Sequence, residues 1–146
     1  MELRFGCKIE ALVEKMKVIL QIFADAYSVQ NATFVDLDSH LRPRGCRYQL
    51  ISLEGGTAVP GPMVVYGTDK LIRCGGTPEQ KLRLTETTAL EEALILCLGV
   101  YYMKSLTYPS AFAQLLGLLQ IKVLRDRNFH KGWIKPQMAA LLDIIP

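Results

Sequence analysis

The sequence predicts an α+β fold: an amino-terminal helix, a small antiparallel sheet, then a carboxy-terminal antiparallel helical hairpin and a short final helix. Three observations predict it. From Lys8 to Tyr27 apolar residues recur at steps of three and four, the period of an amphipathic helix. From Cys46 to Thr85 short β-prone segments alternate with loops rich in glycine and proline. From Thr88 onward two long apolar runs are separated by a Tyr-Pro corner. With 146 residues, half of them hydrophobic and 21% charged, the chain has the length and composition of one globular domain.

In the first helix Ile9, Leu12, Val13, Met16, Ile19 or Leu20, and Phe23 make the apolar stripe, and Glu14 and Lys17 are spaced to attract. Ser28–Gly45 is mixed, with Asn31, Asp36, Asp38, Pro43 and Gly45 favouring turns. "CRYQLISL", Cys46–Leu53, alternates as a strand does, and "EGGTAVPGPM" is a breaker-rich loop. "MVVYGTDKLIRC", Met63–Cys74, predicts a hairpin or one bent strand. "KLRLT", Lys81–Thr85, follows the loop "GGTPEQ" and reads as a half-buried strand. Thr88 with Glu91 fits a capping box opening a helix that runs to about Leu106. A second helix follows Pro109 and runs to Leu124, and a short third one starts near Pro136.

The apolar run Ala93–Met103 has 11 residues, against the roughly 20 a bilayer core requires. Lys104, Ser105, Thr107, Pro109 and Ser110 interrupt it, and Gln114, Gln120 and Lys122 break the next helix. A buried hairpin with its corner at Tyr108–Pro109 is therefore expected, and no membrane span. Gly99 and Gly117 let its helices approach closely, or each accommodates a bulky neighbour. Two helices so apolar are hard to cover in a small domain, which points to a second copy or a protein partner on the hairpin.

Cys7, Cys46, Cys74 and Cys97 are scattered, and neither His40 nor His130 forms a close ligand pair with one, so reduced thiols in an intracellular protein are expected, with no zinc and no cofactor. Nucleus and cytoplasm are not distinguished. "MELRFGCKIEALVEKMK" is charged throughout and lacks a secretory apolar segment. The net charge of +3 resides entirely in Ile121–Pro146, where Lys122, Arg125, Arg127, Lys131 and Lys135 outnumber Asp126 and Asp143.

"ALEEALILCLGVYYMKSLTYPSAFAQLLGLLQ", followed by "KPQMAALL", resembles the carboxy-terminal region of sterile alpha motif domain-containing protein 3-like proteins, a family of fish and invertebrates with many transposon-derived copies. The resemblance is carried by Leu90, Glu92, Ala93, Leu94, Tyr101, Tyr102, Tyr108, Pro109, Leu119 and Gln120, and spans about Leu82–Ile145. It implies an intracellular interaction module and brings no catalytic residues. No sterile alpha motif is evident in the amino-terminal half. The chain thus reads as a single domain, 1–146, with a divergent part, 1–80, and a helical-hairpin part, 81–146, and either as a whole product or as a piece of a longer one.

Arg125, Arg127, Lys131, Trp133 and Lys135, with Phe129 and His130 among them, interleave cations and rings as a nucleic-acid-binding segment does: cations neutralise phosphates and rings stack on unpaired bases. The plainer reading is a solvated loop with Phe129 and Trp133 folded onto the core, and the mild basicity of the domain gives it more weight. "EGGTAVPGPMVVYG" lacks the spacing of a phosphate cradle and precedes a β-prone segment. Cys97, with His130 as base, is a nucleophile on paper but sits in the most apolar helix, where burial as a small hydrophobe is expected. Asp36, Asp38 and His40 read as a solvated turn or helix cap rather than a metal site. The expected function is a non-enzymatic intracellular protein-interaction module, with nucleic-acid binding through 125–135 as the alternative.

Overall fold

The computed structural model describes residues 9–54, 59–75 and 79–146. The reading of the extreme amino terminus and parts of both glycine-rich loops lie outside these residues. The described chain forms five α-helices and a four-stranded sheet, an α+β fold.

Helix α1 (Ile9–Tyr27) buries the stripe its period predicts: Ile9, Leu12, Met16, Ile19 and Phe23. Glu14 and Lys17 pair at 3.5 Å. The helix stops at Ser28, whose φ of 55° turns the chain left-handed, and Val29 N–H reaches back to the Ala24 carbonyl at 3.0 Å.

Helix α2 (Phe34–Leu41) occupies a stretch in which only turns were expected. Its start is a reciprocal capping box: Asp36 N–H donates to the Thr33 hydroxyl at 3.4 Å and Thr33 N–H donates to the Asp36 carboxylate at 2.8 Å. Thr33 is therefore the helix cap, and Asp36, for which a solvated turn or cap is expected, completes the box from the third helical position. Asp38 is not solvated, however. It is buried among Phe34, Leu37 and Leu41 and accepts the Leu50 N–H at 3.2 Å.

The sheet runs β1 (Ile51–Ser52), β2 (Met63–Tyr66), β3 (Lys70–Arg73), β4 (Lys81–Arg83), in that spatial order. β2 and β3 form the expected hairpin, with Val64 opposite Ile72. β4 pairs antiparallel with β3. The expectation of an all-antiparallel sheet fails at β1, which runs parallel to β2 with Ile51 beside Val64. Only Ile51 and Ser52 of "CRYQLISL" form strand, preceded by Leu50, whose carbonyl accepts the Val64 N–H at 2.8 Å while its own N–H goes to Asp38. β4 is exposed rather than half-buried, since no described element covers the faces of Lys81, Leu82 and Arg83.

Helix α3 (Leu90–Met103) begins at Ala89 without a side-chain cap. Thr88 is engaged elsewhere: its hydroxyl accepts the Thr85 N–H at 3.2 Å, and its carbonyl accepts the Tyr66 hydroxyl. The helix ends three residues before Leu106 in a left-handed reversal at Ser105, φ 53°. There Leu106 N–H bonds the Tyr101 carbonyl and Ser105 N–H bonds that of Tyr102, the Schellman pattern.

A turn through 110–112 delays helix α4 to Ala113–Lys122. Helix α5 (Pro136–Ile144) carries its proline in the first turn, as expected. The two apolar helices are not each other's main neighbours. α3 packs on α1, β2 and β3, while α4 packs on α2 and α5. The close hairpin pairing expected of them gives way to two connected layers around one core. No described helix is long and apolar enough to cross a membrane.

Candidate functional site

Helix α4 is buried from Ala113 to Gln120, including both glutamines, which are 3% and 4% exposed. A buried amide without partners costs about 1–3 kcal/mol, so each needs a structural reason. Both hold the segment that crosses the helix next. Gln114 Nε2 donates to the Trp133 carbonyl at 2.7 Å, and its Oε1 accepts the Lys135 N–H at 3.0 Å. Gln120 Nε2 donates to the Asn128 carbonyl at 3.0 Å.

Between them stands Gly117. A Cβ there would lie 2.6 Å from the Phe129 ring and 3.1 Å from the Met138 methyl. "QLLGLLQ" therefore places an amide, a bare backbone and a second amide at three-residue steps on one face. The irregular segment 125–135 seats on that face. Gly99, by contrast, faces open space, so the glycines do not bring α3 and α4 together; Gly117 instead accommodates the bulky Phe129 and the Met138 methyl of α5.

The segment leaves α4 through Arg125, whose φ of 58° reverses the chain, and Asp126 N–H returns to the Gln120 carbonyl at 3.0 Å. A chain of hydrogen bonds then forms. Tyr102 OH donates to Asp126 Oδ2 at 2.8 Å, Asn128 N–H donates to Asp126 Oδ1 at 3.0 Å, and Tyr108 OH donates to Gln120 Oε1 at 2.6 Å. Burial first, then the bond to Asp126, pushes the Tyr102 hydroxyl well above its ordinary value. Burial does the same to Tyr108. Both remain protonated donors at neutral pH.

Rings continue outward from this frame. Tyr101 meets Tyr108 at 5.1 Å, Phe129 meets Trp133 edge-on at 5.8 Å, and His130 meets Trp133 at 5.6 Å. Tyr101 is fixed by donating to the Pro62 carbonyl at 2.7 Å. His130 Nδ1 accepts the Gly132 N–H at 3.0 Å and so caps the 3-10 turn Lys131–Trp133.

Of the two rings expected to fold onto the core, only Phe129 does so. Trp133 remains 49% exposed. It lines two clefts. One, of about 290 Å³, also presents Tyr102, Tyr108, Asp126 and Asn128. The other, of about 260 Å³, presents Thr107, Ser110, Gln114 and Lys135. The predicted residues thus separate into two groups. Trp133 and Lys135 meet at the second cleft, with Lys131 exposed in the adjoining turn, while Arg125 and Arg127 are exposed on the approach and line neither cleft.

Sequence reasoning expects Tyr101 and Tyr102 to pack their rings and find partners for their hydroxyls, as they do, but misses Tyr108, Gln114, Gln120 and Asp126 as parts of this site. The signal for the two glutamines is the glutamine–glycine–glutamine spacing of "QLLGLLQ", which in sequence reads as polar interruption of an apolar run. A larger groove of about 490 Å³, along Lys17, Gln21, Asp25 and Asn31, contains no aromatic ring.

Elsewhere, Cys97 is fully buried, and desolvation pushes its thiol far above the ordinary value, the opposite of a nucleophile. Among the described residues no group of three or more His, Cys, Asp or Glu side chains could hold a metal ion.

No protein-family model matches the chain, and no curated protein or solved structure matches it either.

Proposed function

We propose that the protein is a non-enzymatic binding module that takes up single-stranded nucleic acid on Arg125–Lys135. The observation that carries this reading is Trp133: a half-exposed indole lining two clefts, on a basic segment fixed from below by Gln114 and Gln120. An exposed ring offers a stacking platform to any base, and Arg125, Arg127, Lys131 and Lys135 offer charge to the phosphates. A frame already ordered before binding reduces the entropy lost when the ligand docks. The unpaired thiols of Cys46, Cys74 and Cys97 fit a reducing, intracellular setting.

Trp133 is the only tryptophan, so its emission reports directly on the site. Titration with a short oligouridylate at low salt quenches it. With four cations engaged, affinity falls roughly 50-fold between about 50 and about 200 mM salt. Trp133→Ala, which removes the fluorophore and is therefore followed by the anisotropy of a labelled oligouridylate, weakens binding by about 10- to 100-fold. An emission that oligouridylate leaves unchanged at low salt, or an affinity indifferent to salt, overturns the reading.

A second reading, a protein partner, is favoured by Met103, 82% exposed at the end of α3, and by exposed Leu106, which lines the first cleft. A partner seated on that apolar edge would bind with little salt dependence. The faces of α4 are covered within the chain by α2, α5 and the 125–135 segment, so that helix offers no open surface to a second copy.

A further inference from the structure

We infer that the cleft beside Asp126 receives one unpaired base and prefers guanine; this rests on the nucleic-acid reading above. Four observations point there. The cleft of about 290 Å³ lies near the lower end of the small-molecule range. Trp133 and Tyr108 supply ring surface at its wall, and Phe129 is packed behind them.

The third observation is the polar chemistry. Asp126 is the one carboxylate lining the cleft among the described residues. Its position is fixed by the Tyr102 hydroxyl on Oδ2 and the Asn128 N–H on Oδ1. A carboxylate accepts about four hydrogen bonds, so each oxygen retains acceptor capacity. The fourth is that the Tyr102 and Tyr108 hydroxyl protons and one N–H of the Gln120 amide are already committed inside the frame. Beside Asp126 the cleft thus asks its ligand for donors, while Ser105, Thr107 and Asn128 line the rest of it with groups able to donate.

Guanine alone among the common bases presents two adjacent donors, N1–H and the 2-amino group, on its Watson–Crick edge. Together they match a carboxylate in the two-pronged manner of a guanidinium. Adenine and cytosine each set one amino group beside an acceptor nitrogen, and uracil flanks its single N–H with two carbonyls, all of which the carboxylate repels. The second cleft, with Lys135 and the hydroxyls of Thr107 and Ser110, is suited to the neighbouring phosphate.

The test compares three short oligonucleotides on the intact protein by Trp133 emission at low salt: a uridine run, the same run with one guanosine, and the same run with one inosine, which lacks the 2-amino group. Guanosine tightens binding about tenfold over the uridine run, inosine loses most of that gain, and Asp126→Asn erases the preference. The inosine arm uses the unaltered protein, so it decides the matter even if the variant folds poorly. Equal binding of all three oligonucleotides overturns the base preference while leaving the stacking ledge intact. Absence of quenching by any of them overturns both. Tighter binding of inosine than of guanosine also overturns it, because the 2-amino group would then be unwelcome.

Discussion

Helix α3 is covered by regular structure, with α1 and the β2–β3 hairpin packed against it, whereas α4 carries the irregular segment 125–135 across one face. The two helices are similarly apolar in sequence, yet the polar groups they bury differ. α3 buries Ala93, Leu94, Ile95, Cys97, Leu98, Val100 and Tyr101. Its neighbours already satisfy their own backbone groups in helix and sheet. α4 buries Gln114 and Gln120, because the segment above it has carbonyls and N–H groups with no partners in regular structure. The difference teaches that a loop can serve as the wall of a core only where the helix beneath supplies its hydrogen bonds. Asp38 in α2 repeats the device, accepting the Leu50 N–H from the irregular stretch that leads into β1.

The comparison can be broken most severely on the α3 side. Leu94 is fully buried, and Leu94→Ala destabilises the fold by about 3 kcal/mol. In urea unfolding, helical circular dichroism and Trp133 emission then shift together, because α3 belongs to the shared core. Separate transitions would mean that the two layers fold independently.

On the α4 side, Gln114→Leu leaves the Trp133 carbonyl and the Lys135 N–H unpaired, at a cost of about 2 kcal/mol. Its signature differs from that of the leucine variant. Trp133 emission shifts toward that of a solvated indole under conditions where the helices remain formed. Emission unchanged from the parent would show that the amide is not what holds the segment.

Acidity sharpens the third case. Burial raises the Asp38 carboxyl from its ordinary 3.8 to about 6, against the opposing pull of Arg42 and the backbone N–H groups. The folded state therefore binds this proton more tightly than the unfolded chain. The resulting stability is present in full below about 3.8 and is lost as pH rises through about 6, amounting to about 2–3 kcal/mol. Burial of His40 lowers its pKa and acts in the opposite direction, adding stability as pH rises. Chemical denaturation of the parent and of Asp38→Asn across this range separates the two: the variant loses the decline with pH that Asp38 causes. An identical slope in both proteins would refute the assignment.

The glycines give the smallest and cleanest contrast. Gly117→Ala drives a Cβ into the Phe129 ring and costs about 1–3 kcal/mol. Gly99→Ala meets nothing within 4 Å and stabilises α3 by about 0.5–1 kcal/mol. Thermal melts of the two variants should move in opposite directions, and movement in the same direction would erase the distinction between the helices.

The same contrast decides how much was legible in the sequence. The α1 stripe, the β2–β3 hairpin and the Pro136 start of α5 follow from periodicity and local backbone chemistry, and they stand where those place them. Helix α2 was legible too, in Thr33 followed by Asp36, but the turn-forming residues around it obscured the box. At Thr88 the identical signal misleads, because the hydroxyl is captured by Thr85. The parallel pairing of β1 had no local signature, since it depends on where α2 delivers the chain. Within the site, the basic and aromatic residues of 125–135 were visible as composition. Which of them face a cleft was not, because that is set by Gln114 and Gln120 from another element.

The account depends most on the segment 125–135 being an ordered surface held by α4. Hydrogen exchange at the Lys135 amide tests this directly, since that N–H bonds only a side chain, Gln114 Oε1. Protection comparable to the amides of α4, lost in Gln114→Leu while the amides of α3 keep theirs, is the predicted result. A Lys135 amide that exchanges at the rate of an open chain in the unaltered protein would contradict it.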